Sequence, residues 1–458
     1  MQGITFRLII LLVGDVVAAV LALFSAYALR FGRLPLQASF LVESLPRIFI
    51  FTGTVIVTLY LFEAYTLDKI SDRKKAFVST LLASSVSFVS LSAIFYLLPF
   101  LKFFRGFLLL AIGCVFLFQL FWRLLFITGH RHPSLALRVI VLGLGPLAKQ
   151  MAELIETTKY NHLLVGFVGC ESERDLAFIP GERILGTAEQ LREIAQRERA
   201  HKIIVALTER RGVFPLRDVL SCKLNGVEVE DAPSYYESVT GRLLLENITP
   251  SWFIFSAGFR RTILTTFFKR VIDIALATLG LILSLPLMLV TALLIKLDSP
   301  GPLLFSQVRV GKKENNFKLF KFRTMRADAE KQTGAVWAQQ NDPRITRVGK
   351  FLRKTRVDEI PQLFNVLRGD MSFVGPRPER PEFVEKLKTI IPYYSKRHFI
   401  KPGITGWAQV RYPYGSSVED AVEKLRYDLY YIKNLSPLLD TLVFFETVKV
   451  VLFGKGAR

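Results

Sequence analysis

Two adjacent carboxylates, Asp358 and Glu359, stand in the stretch Arg353-Lys354-Thr355-Arg356-Val357-Asp358-Glu359-Ile360-Pro361-Gln362-Leu363-Phe364-Asn365-Val366-Leu367-Arg368-Gly369-Asp370. The pattern reads as a helix with carboxylates at its start, Pro361 in its first turn and Gly369 ending it. In the plainest reading the pair only caps that helix and complements its dipole. A chemical reading stands beside it. Adjacent side chains at a helix start diverge, so one carboxylate can attack or accept a proton while the other holds a cation. The flanking arginines, Arg356 among them, would steady negative phosphates. Such an arrangement suits phosphoryl transfer through a covalent acyl phosphate. The five histidines are scattered and the three cysteines form no CxxC pair, which leaves no zinc-type cluster and no disulfide framework. The natural cation for such a site is Mg²⁺, held by one or two carboxylates and by substrate phosphates.

Other stretches supply charge and rigidity. Lys318-Leu319-Phe320-Lys321-Phe322-Arg323-Thr324-Met325 alternates basic with apolar residues, and a strand here places Lys321 and Arg323 on one face. Such a face is commonly just solvated. Phe373-Val374-Gly375-Pro376-Arg377-Pro378 reads as a rigid turn whose two prolines leave Arg377 little entropy to lose. Lys401-Pro402-Gly403-Ile404-Thr405-Gly406-Trp407-Ala408-Gln409-Val410 is a second glycine-punctuated loop. There Trp407 either stacks a base or, by default, packs in the core.

These residues need elements to position them, and the chain of 458 residues predicts two to four folded units. Apolar residues make up 51% and the mean hydropathy is +0.34, which argues against a disordered chain or a purely soluble enzyme. The net charge of +21 is uneven: +6 over 1–130, −1 over 131–258 and +16 over 259–458. A basic C-terminal part suits phosphate-bearing partners such as nucleic acid, an anionic membrane face or a nucleotide-linked substrate. Apolar stretches at about 4–29, 48–66, 76–98 and 106–127 are each long enough to cross a hydrocarbon core of about 20 residues. Lys69, Arg73, Lys74 and Lys75, with Arg123 and Arg131 after the fourth stretch, outweigh Arg30, Arg33, Arg47, Lys102 and Arg105. That bias puts both ends of a four-helix transmembrane unit in the cytoplasm. Asp15, inside the first stretch, is either a functional charge or the partner of another helix.

From Leu137 the texture becomes that of a doubly wound, Rossmann-like α/β domain, with strands at 137–142, 163–168 and 202–207. Gly143, Gly145 and Ala148 match a dinucleotide fingerprint, but no acidic residue follows at the spacing that would bind a ribose. A tight structural turn and a bound nucleotide both remain open. A fifth apolar segment, Val271–Leu297, follows Lys269 and Arg270 and contains Ser284 and Pro286. It reads equally as a fifth spanning helix or as a helix–break–helix that returns to the face it entered.

Residues 267–458 resemble the catalytic domain of the bacterial sugar transferase family, the monotopic phosphoglycosyl transferases. The resemblance rests on Lys321–Met325, Asp358–Val366, Gly369–Pro378 and Lys401–Trp407, several long motifs in one order. The whole chain resembles the large subgroup that includes the undecaprenyl-phosphate glucose and galactose phosphotransferases. What the resemblance implies is a membrane protein of α plus α/β class. It has a four-helix transmembrane domain at 1–130, a Rossmann-like cytoplasmic domain at 131–258 and a monotopic catalytic domain at 259–458. The hairpin at 267–297 would be re-entrant and broken near Ser284 and Pro286. Asp358 would be the nucleophile, Glu359 a Mg²⁺ ligand, and Lys321, Arg323, Arg356 and Arg377 phosphate contacts. The partners would be a UDP-sugar, undecaprenyl phosphate and membrane lipid, with no nucleic acid, and pairing into a homodimer stays open. The place would be the bacterial cytoplasmic membrane, multi-pass, with the catalytic domain on the cytoplasmic face. The lipid product would start exopolysaccharide or O-antigen synthesis. The competing class is a membrane-tethered binding or regulatory protein, which would have no need of the Asp358-Glu359 pair in its basic frame.

Overall fold

The computed structural model describes residues 2–453 apart from 33–37, 63, 66–72, 102–105, 131–136, 158–161, 171–177, 208–213, 249, 257, 260–261, 327–328, 330–342, 414 and 416. Of the loop charges used to orient the first helices, Arg33, Lys69, Lys102, Arg105 and Arg131 lie outside the described residues. The chain divides into two compact units, Met1–Val239 and Thr240–Arg458.

The first unit opens with four long helices, α1 (Gln2–Phe31), α2 (Ala38–Leu61), α3 (Arg73–Leu97) and α4 (Phe107–His130). Each contains a stretch long and apolar enough to cross a membrane. Their outer faces leave side chains such as Val13, Leu21, Phe49, Val89, Leu109 and Phe121 exposed. Inside, Ala19, Ala22 and Ala26 of α1 lie buried with Phe51, Leu59, Leu91, Ala111 and Val115. Arg123 is not a loop charge but a buried one. Its Nη2 meets Asp15 Oδ2 at 2.7 Å, its Nη1 donates to the Ala64 carbonyl, and its guanidinium lies 5.2 Å from the Tyr65 ring. Asp15 is therefore the partner of another helix. Each charge offsets the desolvation of the other, and removing either would strand its mate away from water.

The remainder of this unit is a five-stranded parallel sheet of order β3-β2-β1-β4-β5, built from β1 (Leu137–Leu142), β2 (His162–Gly169), β3 (Ile184–Thr187), β4 (Lys202–Val205) and β5 (Glu228–Asp231). Connecting it are α5 (Pro146–Thr157), α6 (Leu191–Arg197), α7 (Leu216–Leu224) and α8 (Ala232–Thr240). The central strands are continuous apolar runs because both of their faces are covered. Gly143 sits at φ +131, and a Cβ there would come within 2.6 Å of the Ala206 carbonyl oxygen, so the first glycine serves a tight turn against the neighbouring strand. The adjacent Leu144 is 1% exposed and packs where Gly169 has no room for a side chain.

The second unit begins at Thr240. Leu243 and Ile248 are buried in its core, and Trp252 and Phe253 of α9 (Pro250–Phe255) pack against it. A single helix, α10 (Ile263–Asp298), then runs 36 residues through Ser284 and Pro286. The family resemblance implied a break there; the backbone stays helical on both sides, as a proline can kink a helix without ending it. Ser284 Oγ donates back to the Leu281 carbonyl at 3.4 Å. One face of α10 packs on the unit along its length, while Leu279, Ile282, Leu283, Leu285, Leu289 and Leu293 are exposed on the other.

A two-stranded antiparallel ribbon follows, β6 (Leu304–Val310) with β7 (Asn316–Phe322). Next come α11 (Arg347–Thr355), α12 (Gln362–Arg368), β8 (Ser372–Val374), α13 (Pro381–Ile390), β9 (Gly403–Thr405), α14 (Trp407–Arg411), α15 (Val418–Lys433) and α16 (Pro437–Phe453). The core gathers Val384 and Leu387 of α13, Leu425, Leu429 and Tyr431 of α15, and Leu439 and Val443 of α16. β8 and β9 pair in parallel, so the loops that follow them interlock. A Cβ on Gly403 would come within 2.1 Å of Gly375 N, which explains why both loops are punctuated by glycine.

Candidate active site

The carboxylate pair sits in a short 3₁₀ turn, Val357–Glu359, wedged between α11 and α12. Arg356, at φ 60 in the left-handed region, ends α11 and swings the chain into that turn. Gly369 closes α12 at φ 91, as the sequence pattern predicts, but Pro361 precedes α12 instead of lying in its first turn, and the carboxylates stand one turn ahead of it. Asn365 locks the arrangement to the ribbon. Its Oδ1 accepts from Phe320 N and its Nδ2 donates to the Lys318 carbonyl, while the residue is wholly buried.

The two carboxylates face different environments. Glu359 Oε1 accepts from Lys321 Nζ at 2.9 Å and from Arg377 Nη2 at 2.8 Å, with Arg356 Nη1 3.7 Å away. Burial raises its carboxyl, but Arg377, Lys321 and Arg356 outweigh burial and hold it far below the usual carboxylate range. Asp358 is 6% exposed, and its Oδ1 is buried with no hydrogen-bond partner. Burial pushes this carboxyl up and the charge of Glu359 adds to that, against the pull of Lys321, Arg377 and Arg353. Lys321 in turn is lowered by burial and by Arg377, although both carboxylates oppose this. One carboxylate is thus held in a cationic frame, while its neighbour keeps an oxygen without a hydrogen-bond partner.

Asp358 opens on a cavity of about 440 Å³, within the range of small-molecule sites. Eleven Lys and Arg side chains line it against three carboxylates, Asp358, Glu379 and Asp428. Lys321, Arg356 and Arg377 all reach it beside Asp358. Arg323 also lines the cavity, but its guanidinium donates to the carbonyls of Pro300 and Ser299 and to Ser299 Oγ. That ties the loop after α10 to the ribbon instead of leaving a free phosphate contact, a use that alternation along a strand does not reveal. The turn carrying Arg377 is propped from behind. Arg397 donates to the Arg377 carbonyl at 3.0 Å and Arg309 to the Pro378 carbonyl at 3.0 Å.

Sequence reasoning missed most of the far wall: Gln409, Tyr412, Lys424 and Asp428. Only the packing of α15 against α14 brings them there, and no local motif marks it. Trp407 is a core residue. Its indole N–H donates to the Gly241 carbonyl and its ring stacks on Tyr430.

Arg397 and Asp428 form a buried ion pair at 2.8 Å, and burial pushes the Asp428 carboxyl up to about 6 against the pull of Arg397. An ordinary aspartate titrates near 3.9, so the folded protein holds this proton more tightly than the unfolded chain. The contribution to stability is complete below about pH 4 and is lost as pH rises through about 6, a change on the order of 2 kcal/mol. Thermal unfolding of the wild type and of Asp428→Asn across this range should show the extra decline only in the wild type. The difference between the curves isolates Asp428 from the buried His398, lowered to about 3, which acts in the opposite sense. Parallel curves for the two proteins would contradict this assignment.

Residues 264–454 match the bacterial sugar transferase family. The UDP-N-acetylgalactosamine-undecaprenyl-phosphate N-acetylgalactosaminephosphotransferase of Aeromonas hydrophila is 45% identical over 242 residues, which is 53% of this chain and 56% of that protein. A putative undecaprenyl-phosphate N-acetylgalactosaminyl 1-phosphate transferase of Bacillus subtilis is 57% identical over 129 residues, 28% of this chain and 72% of the relative. The undecaprenyl-phosphate glucose phosphotransferase of Komagataeibacter xylinus is 35% identical over 332 residues, 70% of this chain and 60% of the relative. The chain thus spans little more than half the length of the first of these.

Proposed function

The chain belongs to the bacterial sugar transferase family, and from that premise we propose that it moves a hexose or N-acetylhexosamine 1-phosphate from a UDP-sugar to undecaprenyl phosphate. The observation that carries the reading is the unpartnered Oδ1 of buried Asp358, opening on a cationic cavity beside a carboxylate already neutralised by Lys321 and Arg377.

In the first step Asp358 attacks the phosphorus that bears the sugar. The bond from that phosphorus to the bridging oxygen breaks, and UMP leaves with the electron pair, so the phosphosugar stays on the aspartate as an acyl phosphate. In the second step a phosphate oxygen of undecaprenyl phosphate attacks the same phosphorus and the Asp358 carboxylate leaves, which yields an undecaprenyl diphosphate sugar. Lys321, Arg356 and Arg377 stabilise the charge that develops on the phosphoryl oxygens. The lipid product primes a surface polysaccharide.

Magnesium is the cation of this proposal. Asp358 and Glu359 offer hard oxygens, one of them unpartnered, and Mg²⁺ is commonly held by one or two carboxylates completed by substrate phosphates. Among the described residues no group of three or more His, Cys, Asp or Glu stands ready to hold a metal without substrate. In this reading Glu359, whose Oε1 already accepts from Lys321 and Arg377, would also be the ion's protein ligand, and the ion would supply charge neutralisation on the departing UMP. Asp358→Asn should abolish both half-reactions, while Glu359→Gln should lower turnover by 10²-fold or more, about 2.7 kcal/mol, and raise the Mg²⁺ requirement. A panel of UDP-sugars scored for UMP and for labelled lipid measures this. Asp358→Asn turning over near the wild-type rate would refute the covalent route.

We place the second unit on the cytoplasmic face of the inner membrane, with α10 as a re-entrant helix bent near Ser284 and Pro286. Contacts spread along α10 support this. Arg270 donates to the carbonyls of Val366 and Leu367, and Asp273 accepts from Ser372 Oγ and Phe373 N. Ala277 shares a buried cluster with Leu363 and Val366, and Ile295 with Phe322 and Leu352. At the far end Asp298 Oδ2 accepts from Val348 N. A helix that left this unit to cross a bilayer could not keep both ends on it. A cysteine at Gln307, introduced into a cysteine-free background, should therefore resist a membrane-impermeant thiol reagent in intact cells and react after permeabilisation. Labelling in intact cells would mean that α10 spans.

A further inference from the structure

The cavity has two walls of different chemistry. Toward the end of α10 it is bordered by Pro302, Leu304 and Phe305, beside the loop that Arg323 ties down. That side suits a lipid-borne substrate entering from the bilayer. On the opposite wall, built by α14 and the loop before α15, stand Gln409, Tyr412, Pro413 and Gly415. Its charged members are Lys424, which donates to the Gly415 carbonyl and so holds the loop, and Asp428, which is paired with Arg397.

Two features of that wall point to a nucleoside. Gln409 Nε2 donates to the Ile404 carbonyl at 3.2 Å, which fixes the amide orientation and leaves Oε1 as an acceptor. That oxygen is buried without a hydrogen-bond partner, a costly state unless a ligand donates to it. Tyr412 provides a ring held in place at both ends. Its backbone N–H donates to the Ala408 carbonyl at 2.9 Å, and its hydroxyl donates to Asp420 Oδ1 at 2.9 Å. Asp420 is itself fixed in the capping box of α15 with Ser417. Both residues line the one cavity, with the Tyr412 ring 6.5 Å from that of Tyr427, and a pyrimidine base needs what the two supply: a face to stack on and a partner for its imide N–H.

We propose that this wall is the uridine subsite, in which Tyr412 stacks the base and Gln409 Oε1 accepts the N3–H of uracil. The proposal rests on the UDP-sugar reading above and assigns that donor's orientation: nucleoside toward α14, diphosphate across the arginines, sugar-bearing phosphorus at Asp358.

Equilibrium dialysis of labelled UMP and CMP against the full-length protein in detergent tests it without requiring turnover. Cytosine carries no hydrogen at the corresponding ring nitrogen, so CMP should bind the wild type about tenfold or more weakly than UMP. Gln409→Leu should weaken UMP by about tenfold and leave CMP unchanged, which collapses the ratio toward one. Tyr412→Leu should weaken both nucleotides by about tenfold, while Tyr412→Phe, which keeps the ring, should hold within about twofold of the wild type. A Gln409→Leu protein that keeps the wild-type ratio would overturn the assignment. So would a Tyr412→Leu protein that binds both nucleotides normally, or equal losses for Tyr412→Phe and Tyr412→Leu. If binding follows these residues in a protein that transfers no sugar, the subsite stands and the transfer reading falls. Transfer from UDP-sugars with UMP affinity indifferent to both residues gives the reverse.

Discussion

Two neighbouring negative charges cannot be buried side by side without compensation, and the second unit is arranged around that constraint. Glu359 meets two cations within hydrogen-bonding distance, and a third lies just beyond. Each comes from a different segment: Lys321 from β7, Arg377 from the turn after β8, Arg356 from the end of α11. The compensated carboxylate therefore acts as a knot that fixes the ribbon, the proline-bounded turn and α11 relative to Asp358. Burying such a group without its partners would cost several kcal/mol, so the frame has to assemble for the turn to exist at all. Asp358, beside the knot, keeps an unpartnered oxygen.

A second constraint is solubility. In the proposed reaction the sugar nucleotide is confined to water and the polyprenyl phosphate to the bilayer, which would place their common site at the boundary between the two. α10 is two-sided, as that reading requires. Asp273, Ala277, Thr291 and Ile295 are buried against the unit, whereas Leu283, Leu289, Leu293 and Leu297 are exposed. The polar anchors at its two ends, Arg270 with Asp273 and Asp298, hold it to the unit that carries Asp358. In the same reading the basic surplus of the C-terminal part would serve twice, to cradle substrate phosphates and to face an anionic lipid surface.

How much of this was legible in the sequence depended on how local each signal was. The apolar runs Val139–Leu142 and Ile203–Val205 mark central parallel strands because both faces are buried. By contrast, β3 and the polar Glu228–Asp231 strand lie at the sheet's edges and carry no such mark. That Asp358, Glu359, Lys321 and Arg377 lie together was expected from the motifs of the family resemblance, whereas residue type alone left a capped helix and a solvated strand face as readings beside the chemical one. Arg123 read as a loop charge, since its partner Asp15 lies 108 positions away. Arg323 read as a phosphate contact because alternation says which face a side chain takes but not which carbonyls wait there. Gln409 and Tyr412 gave no signal of their own, because they reach the cavity only through the packing of α14 on α15.

The claim on which everything else turns is that the phosphosugar rests on Asp358 between the two half-reactions. Its most direct test is intact and peptide mass spectrometry of the purified protein after exposure to its UDP-sugar and Mg²⁺ with no lipid acceptor. The account predicts release of UMP in amounts no greater than the protein present. It also predicts a mass gain of one sugar phosphate on the peptide containing Asp358, lost when undecaprenyl phosphate is added. Release of UMP only in the presence of the lipid, with no adduct on that peptide at any time, would contradict it.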